Sequence, residues 1–350
     1  MDIKLSSPLR KSPDYCKFEY LHMFCDLNTL RQLMNQCGAM KKPFLFAVDY
    51  AMRRAFFSDR PYAETSVRWS IGNIGNAAGD GVSATVTPYL KVTRPITMQQ
   101  YAGAFDTVSR GLRRGDSFLV NLTVATEVEC SPLEDIFNAA TAPYRLLIPD
   151  EFVCFSPETF VKISPEGIIS AYPMKGTIRA DIPDAMRLLE ENPKELAEHY
   201  TIVDLLRNDI GMAASDVRVS RFRYFDIIKT SHGPIYQTSS RIEGNLPADW
   251  TDSTGDIILR MLPAGSICGA PKEATLDIIR RTETTERGWY TGVFGLFDGK
   301  SLDSAVMIRC IQKHADGRLM FHSGGGITSS SRMEDEYHEL IDKIYLSTSL

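Results

Sequence analysis

The chain has 350 residues, 43% hydrophobic and 24% charged, which is enough apolar material for one large core or two smaller ones. A net charge of −5 gives no basic excess, so a nucleic-acid partner is not indicated. No uninterrupted apolar stretch is long enough to span a bilayer, and residues 1–14 lack the apolar core of a signal peptide. The seven cysteines are odd in number and form no CxxC pair, which fits reduced thiols in a cytoplasmic protein and argues against a zinc site.

Residues 1–92 are the least legible part and are expected to supply strands that complete a sheet of the 93–350 region. Pro43 to Tyr50, with Phe44, Leu45, Phe46, Ala47 and Val48, reads as a buried strand, Ala55-Phe56-Phe57 as a returning one, and the Gly/Asn/Ala-rich stretch 72–81 as a loop. Thr97 to Arg114 carries Tyr101, Ala104, Phe105, Val108 and Leu112 at helical spacing, and Gly115 ends it. Ser117 to Glu129 alternates as a half-buried strand. A short helix follows over Leu133 to Ala142, then short strands at 145–148, 152–155 and 160–163. Pro193 to Asp209 reads as a helix that Gly211 is placed to stop, with Leu196, Tyr200, Val203 and Arg207 along one stripe. Long helices and long strands mix without βαβ alternation. That argues against a doubly wound sheet and for an α+β sandwich of two large antiparallel sheets flanked by helices.

Several residues stand out on chemistry. Lys175 follows an apolar strand-like run and precedes Gly176, which predicts a strand ending in a tight turn that projects the lysine inward. In an apolar site its ammonium form would be desolvated, its pKa would fall, and the amine could act as a nucleophile. A lone lysine beside a turn is more often a surface residue. Glu198 shares a helix stripe with Ile202 and Leu205. Glu336 and Glu339, three apart, share a face of the last helix, where Ser331 and Glu334 have capping-box spacing. Three such carboxylates could hold Mg²⁺, which prefers oxygen ligands, although solvated acids on charged helices account for them equally. Alternation over 305–310 places Arg309 on a strand among apolar residues, where it needs an anion or a neighbouring acid. Gly324, Gly325 and Gly326 could let successive N–H groups converge into an anion nest. The Gly265 to Lys272 stretch lacks P-loop spacing. It reads as an anion site at a helix start or as a glycine turn that lets a strand pack closely.

Together these segments resemble the chorismate-utilising enzymes, from about Thr97 to Tyr345. The blocks fall in that family's order: Ser156-Pro157-Glu158, Pro173-Met174-Lys175-Gly176-Thr177, Glu198 to Gly211, Gly265-Ser266 to Lys272, Arg287 to Gly292, Met307-Ile308-Arg309, Gly324 to Ile327, and Glu336 to Lys343. The resemblance implies one large chorismate-binding catalytic domain over 93–350, Mg²⁺, and a substrate with two carboxylates. Glu158 would be the general acid/base. Glu198 and Glu339 would be metal ligands, with Glu336 beside them. Tyr290, Arg309 and the amides of Gly324, Gly325 and Gly326 would clamp the other carboxylate, and Thr177, Ser266 and Lys272 would contact substrate.

Within the family, a lysine at position 175 resembles the first component of aminodeoxychorismate synthases, where it implies a covalent nucleophile. Anthranilate and isochorismate synthases usually carry a small residue there. Gln237 stands where the family often has histidine, and Cys268 replaces a usual threonine or serine. No counterpart of a tryptophan-binding segment is evident. No cysteine sits in a nucleophile-elbow setting, so the resemblance implies a separate glutamine amidotransferase subunit as ammonia source. The rivals are anthranilate or isochorismate chemistry on the same scaffold, a Schiff-base lysine enzyme, and a non-catalytic chorismate-binding protein.

Overall fold

Strands and helices follow one another irregularly, and antiparallel pairing gathers the strands into two sheets. The computed structural model describes residues 22–76, 87–230 and 233–346. The first elements are β1 (His22–Cys25), α1 (Leu27–Ala39), β2 (Phe44–Val48), β3 (Ala55–Ser58), β4 (Arg68–Ile71), β5 (Ile74–Gly75) and β6 (Leu90–Arg94). Then come α2 (Met98–Arg114), β7 (Leu119–Cys130), α3 (Leu133–Ala139), β8 (Tyr144–Ile148), β9 (Phe152–Ser156), β10 (Thr159–Ile163), β11 (Ile168–Ala171) and β12 (Met174–Arg179). The middle of the chain holds α4 (Ala185–Glu191), α5 (Pro193–Gly211), β13 (Ser215–Thr230), β14 (Gly233–Asn245), α6 (Thr254–Met261), β15 (Gly269–Ala270) and α7 (Lys272–Thr282). The last elements are β16 (Val293–Phe297), β17 (Leu302–Val306), β18 (Cys310–Lys313), β19 (Leu319–Ile327) and α8 (Met333–Asp342).

One sheet runs β1-β3-β2-β16-β17-β10-β11-β14-β12, with β13 also on β14. The other runs β15-β7-β19-β18-β9-β8-β4-β5, with β6 also on β7. Residues of α1, α5 and α6 cover the outer face of the first sheet, and residues of α2, α7 and α8 cover the second. The strands of the 22–94 region enter both sheets. All five residues of β2 are buried because its two faces have different neighbours. Phe44, Phe46 and Val48 pack with the outer helices, and Leu45 and Ala47 pack between the sheets. The helix α1 was not expected from the sequence. Asp26 caps it by accepting from the Thr29 N–H at 2.8 Å, and Leu30, Met34 and Cys37 form its buried stripe.

Several local expectations are corrected. The helix α5 runs through Gly211, and its buried face is His199, Val203, Leu206 and Ile210, while Tyr200 faces outward. The α8 helix has no side-chain cap, because Ser331 turns its hydroxyl to Glu336. The sequence also reads as a core strand from Tyr290 to Phe297, but β16 begins at Val293 and Tyr290 precedes it. Arg309 is not in a strand: β17 ends at Val306, and the chain crosses to β18 in the other sheet with Arg309 at φ 55°. The crossing is pinned to the segment before β16. The Thr291 N–H donates to the Met307 carbonyl, and the Met307 N–H to the Gly292 carbonyl, both at 2.7 Å. Gly269, at φ 132°, has no room for a Cβ against the Leu119 carbonyl, so the glycine turn brings β15 close onto β7. Residues 77–81 of the expected loop lie outside the described residues. Among the described residues the cysteines are free thiols, and no helix is long and apolar enough to cross a membrane.

Between these parts sits Arg287, 2% exposed. Its guanidinium forks onto Glu283, Nε to Oε2 at 2.8 Å and Nη2 to Oε1 at 2.6 Å. It donates to the carbonyls of Ile267 at 2.8 Å and Asn121 at 2.7 Å, and to Thr291 Oγ1 at 3.3 Å. It also lies 4.3 Å over the Tyr50 ring. Glu283 accepts in addition from the Thr123 N–H at 3.0 Å. Burial alone would lower the Arg287 pKa, but the Glu283 carboxylate outweighs it and holds the guanidinium charged. Removing one partner of such a pair strands the other. Arg287→Met is therefore expected to cost about 3–5 kcal/mol in urea denaturation, and Arg287→Met with Glu283→Leu to recover part of that loss.

Candidate active site

Lys175 is the second residue of β12 and does not end a strand. The pairing of β12 with β14 is irregular between Met174 and Thr177, and Gly176 there takes φ 91°. A Cβ on Gly176 would press on Glu195, Leu189 and Thr238, so the bend needs glycine. The Lys175 carbonyl accepts from the Thr238 hydroxyl and lies 3.4 Å from His199 Nδ1. The other nitrogen of that buried imidazole is 2.7 Å from Ser240 Oγ. Two elements thus fix the backbone from which the lysine projects. Its Nζ lies 2.7 Å from Glu198 Oε2. The expected fall in its pKa is corrected. Burial does push it down, but the charge of Glu198 and the hydrogen bond to it outweigh burial and hold the lysine above its ordinary value. Lys175 is an ammonium ion paired with a carboxylate.

The acids of α8 form a second group. Glu336 is buried and accepts from Ser331 Oγ at 2.7 Å. Burial pushes its carboxyl up, and repulsion from Glu339 adds to this. Burial acts on Glu339 in the same sense, but Lys343, with Nζ 2.7 Å away, outweighs it and holds that carboxyl low. Lys343 also donates to the Gly324 carbonyl at 2.8 Å. The charge of Lys175 acts on both glutamates, so the two groups face one region. The anticipated glycine nest is absent. Gly324, Gly325 and Gly326 are extended residues of β19, in register with Thr123, Leu122 and Asn121, and none has a positive φ. What Gly325 supplies is space: a Cβ there would point at Glu336, Lys343 and Glu339, between 3.5 and 3.8 Å from each.

A third group surrounds Glu158. Its Oε1 accepts from Ser266 Oγ at 2.8 Å. Burial raises its pKa, and the Ser266 bond and the charges of Arg309 and Lys343 offset this only in part. Arg309, at the crossing, reaches Tyr345 Oη at 3.5 Å. It has no carboxylate partner among the described residues, and its buried Nε has no hydrogen bond. Tyr290 stacks on His322 with centroids 5.2 Å apart, and burial lifts its phenol. Two expected contacts are not brought in. Thr177 is exposed, opposite Gln237. Lys272 is committed elsewhere, 2.9 Å from Asp209 Oδ1 and 3.1 Å from the Met261 carbonyl. Cys268 faces Tyr50 in the core at 3.9 Å.

The three expected metal ligands do not form a ready-made cage: among the described residues no group of three acidic, histidine or cysteine side chains stands close enough to hold an ion. Lys175 occupies Glu198 and Lys343 occupies Glu339. The donor chemistry fits a hard divalent cation nonetheless. All three are carboxylates, and Glu336, buried and repelled by Glu339, has no ion-pair partner among the described residues. Sequence reasoning missed Glu195, Lys343, His199 and Thr238. Helical spacing could have found the first two, since Glu195 precedes Glu198 by three positions and Lys343 follows Glu339 by four.

Convergent carboxylates, two lysines and an arginine without a counter-charge, set on a two-sheet sandwich, define an enzyme for a small anionic substrate. Residues 79–348 match the model of the chorismate binding enzymes, and the chain belongs to that family. It is 46% identical to an uncharacterized PabA-like protein of Haemophilus influenzae over 313 residues, 89% of this chain and 94% of that one. It is 31% identical to aminodeoxychorismate synthase component 1 of Salmonella typhimurium over 266 residues, 71% of this chain and 57% of that relative. Among solved structures, anthranilate synthase component I of Streptococcus pneumoniae superposes with a TM-score of 0.59 at 28% identity, covering 74% of this chain and 59% of that one.

A native carboxyl lifted by burial makes the folded state hold its proton longer than the unfolded state does. Stability from that source is present below the unfolded pKa, about 4.3 for glutamate, and is lost as pH rises towards the folded value. Glu158→Gln is therefore expected to melt close to wild type at low pH and progressively higher than wild type as pH rises through that window, in thermal melts across a pH series.

Proposed function

We propose that the protein is component I of aminodeoxychorismate synthase, converting chorismate and ammonia into 4-amino-4-deoxychorismate on the way to 4-aminobenzoate and folate. The observation that carries the reading is Lys175. It stands on a backbone held by His199 and Thr238, with its amine against the Glu198 carboxylate and facing those of α8. Arg309 and Tyr290 would bind one carboxylate of the substrate. Bound Mg²⁺, held by Glu198 and Glu339 with Glu336 beside them, would anchor the other carboxylate and supply the counter-charge of Glu198 in place of Lys175. With Glu198 and Glu339 held by the metal, the carboxylates that raise the Lys175 pKa would be engaged elsewhere, Glu195 excepted, and the amine would lose its proton more readily.

The Lys175 amine adds at C2 of chorismate while Glu158 gives a proton to the C4 hydroxyl, which leaves as water. The raised Glu158 carboxyl keeps a proton for this step. Ammonia then adds at C4 and gives one proton back to the Glu158 carboxylate, the ring double bonds shift back as the bond from C2 to Lys175 breaks, and the lysine leaves as the neutral amine. The ammonia comes from a glutamine amidotransferase subunit. Anthranilate chemistry on this scaffold is the second reading, which the likeness to the Streptococcus pneumoniae enzyme favours and Lys175 opposes.

The test is a mass-resolved product assay with chorismate, Mg²⁺ and ammonium. Wild type is expected to form 4-amino-4-deoxychorismate, Lys175→Ala none, and Glu158→Gln about 10²–10⁴-fold less per unit time. Chelation should abolish turnover and added Mg²⁺ restore it. Anthranilate or isochorismate as product, undiminished in Lys175→Ala, would refute the proposal.

A further inference from the structure

The buried pair Asp209–Lys272 takes no part in the chemistry above, yet it lies one residue away from it. We propose that Asp209 and Lys272 are positioning residues for Glu158. Their ion pair fastens the 263–271 loop so that Ser266 delivers its hydroxyl to one oxygen of the Glu158 carboxyl and leaves the other free for substrate. The inference rests on the reading of Glu158 as the general acid.

The connection is short and continuous. Asp209, 5% exposed on α5, accepts from Lys272 Nζ with Oδ1 at 2.9 Å and from the Gly265 N–H with Oδ2 at 2.7 Å. Lys272 also donates to the carbonyl of Met261, the last residue of α6, at 3.1 Å. The loop is thus tied at its start, through Met261, at its end, through Lys272, and at Gly265. The next residue, Ser266, makes the 2.8 Å bond to Glu158 Oε1. A Cβ at position 265 would come within 2.6 Å of Asp209 Oδ2 and 2.8 Å of Leu205 Cγ, so this anchor needs glycine.

Helix stability does not account for the lysine. Lys272 is the first residue of α7, the end at which the helix dipole disfavours a cation. The groups that face Glu158 are Ser266 from this loop, Arg309 from the sheet crossing and Lys343 from the end of α8. Ser266 alone is placed by the Asp209–Lys272 pair. Losing its hydrogen bond would remove a donor that favours the ionised carboxyl and would loosen the acid by enough to misalign it with the leaving oxygen.

The test compares two double variants that bury no unpaired charge, Asp209→Ala with Lys272→Met and Asp209→Asn with Lys272→Met. Only the second keeps a side-chain oxygen for the Gly265 N–H. Ser266→Ala is the benchmark. Two quantities are read: kcat and KM for chorismate with ammonium across pH, and the Glu158 carboxyl titration by infrared difference against Glu158→Gln without substrate. In the alanine pair kcat is expected to fall about tenfold to a hundredfold at nearly unchanged KM, with the titration midpoint rising as in Ser266→Ala. The asparagine pair is expected to restore most of both. Equal kcat and equal midpoint in the two pairs, with only melting temperature differing, would overturn the proposal. If no form yields product, the reading of the reaction fails, and the infrared titration still decides the positioning role.

Discussion

The Glu283–Arg287 ion pair is the constraint on which the site depends. A guanidinium away from water must have its hydrogens taken and its charge balanced, and here both demands are met by groups from separate parts of the fold. Asn121 and Thr123 come from β7 of one sheet, Tyr50 follows β2 of the other, and Ile267 ends the turn that carries Ser266. Gly288, Trp289 and Tyr290 follow directly in the chain. One set of hydrogen bonds therefore ties the segment that leads to Tyr290 to both sheets and holds the far end of the Ser266 turn, whose near end Asp209 holds at Gly265. The charged centre holds the frame, and the working charges sit at its margin, where Arg309 and the glutamates are less completely paired.

Much of the frame was legible because apolar periodicity and turn residues act locally. The helix α2 begins at Thr97 with a capping box to Gln100 and ends where Gly115 takes a left-handed conformation, both readable from residue type. The apolar run between Pro43 and Tyr50 announced a buried strand, which the fold keeps as Phe44–Val48. The helix α1 was lost because its stripe is thin, Leu30, Met34 and Cys37 among polar residues, and the Asp26 cap was the better signal. Where the chain changes sheet, alternation misled. Arg309 reads as one more residue of a strand, yet a positive φ and a crossing between layers separate it from Val306. Such a break follows from tertiary packing and leaves no periodic trace.

The site was legible in its residue types and less so in their pairings. Lys175, Glu158, Ser266, Glu198, Glu336 and Glu339 do gather around one region, but the sequence could not say which charge meets which. A lysine expected to be neutralised by burial meets Glu198 and stays charged. A lysine expected at the substrate, Lys272, is spent on Asp209. Three glycines expected to curl into a nest lie extended in β19, and at Gly325 the absence of a side chain leaves room beneath the α8 carboxylates. In each case the deciding quantity is a distance between elements far apart in the chain.

The pairing of β2 with β16 has a consequence for how the protein is made. Phe44–Val48 lies against Val293–Phe297 along its whole length, near the middle of the first sheet. During synthesis the earlier strand emerges with β3 and α1 as its available neighbours and keeps one hydrogen-bonding edge open until β16 has followed. Long-range closure of this kind is slow and leaves an apolar edge exposed in the meantime. The interval favours a nascent chain shielded by chaperones, and it makes the completion of that central seam a late event of biogenesis.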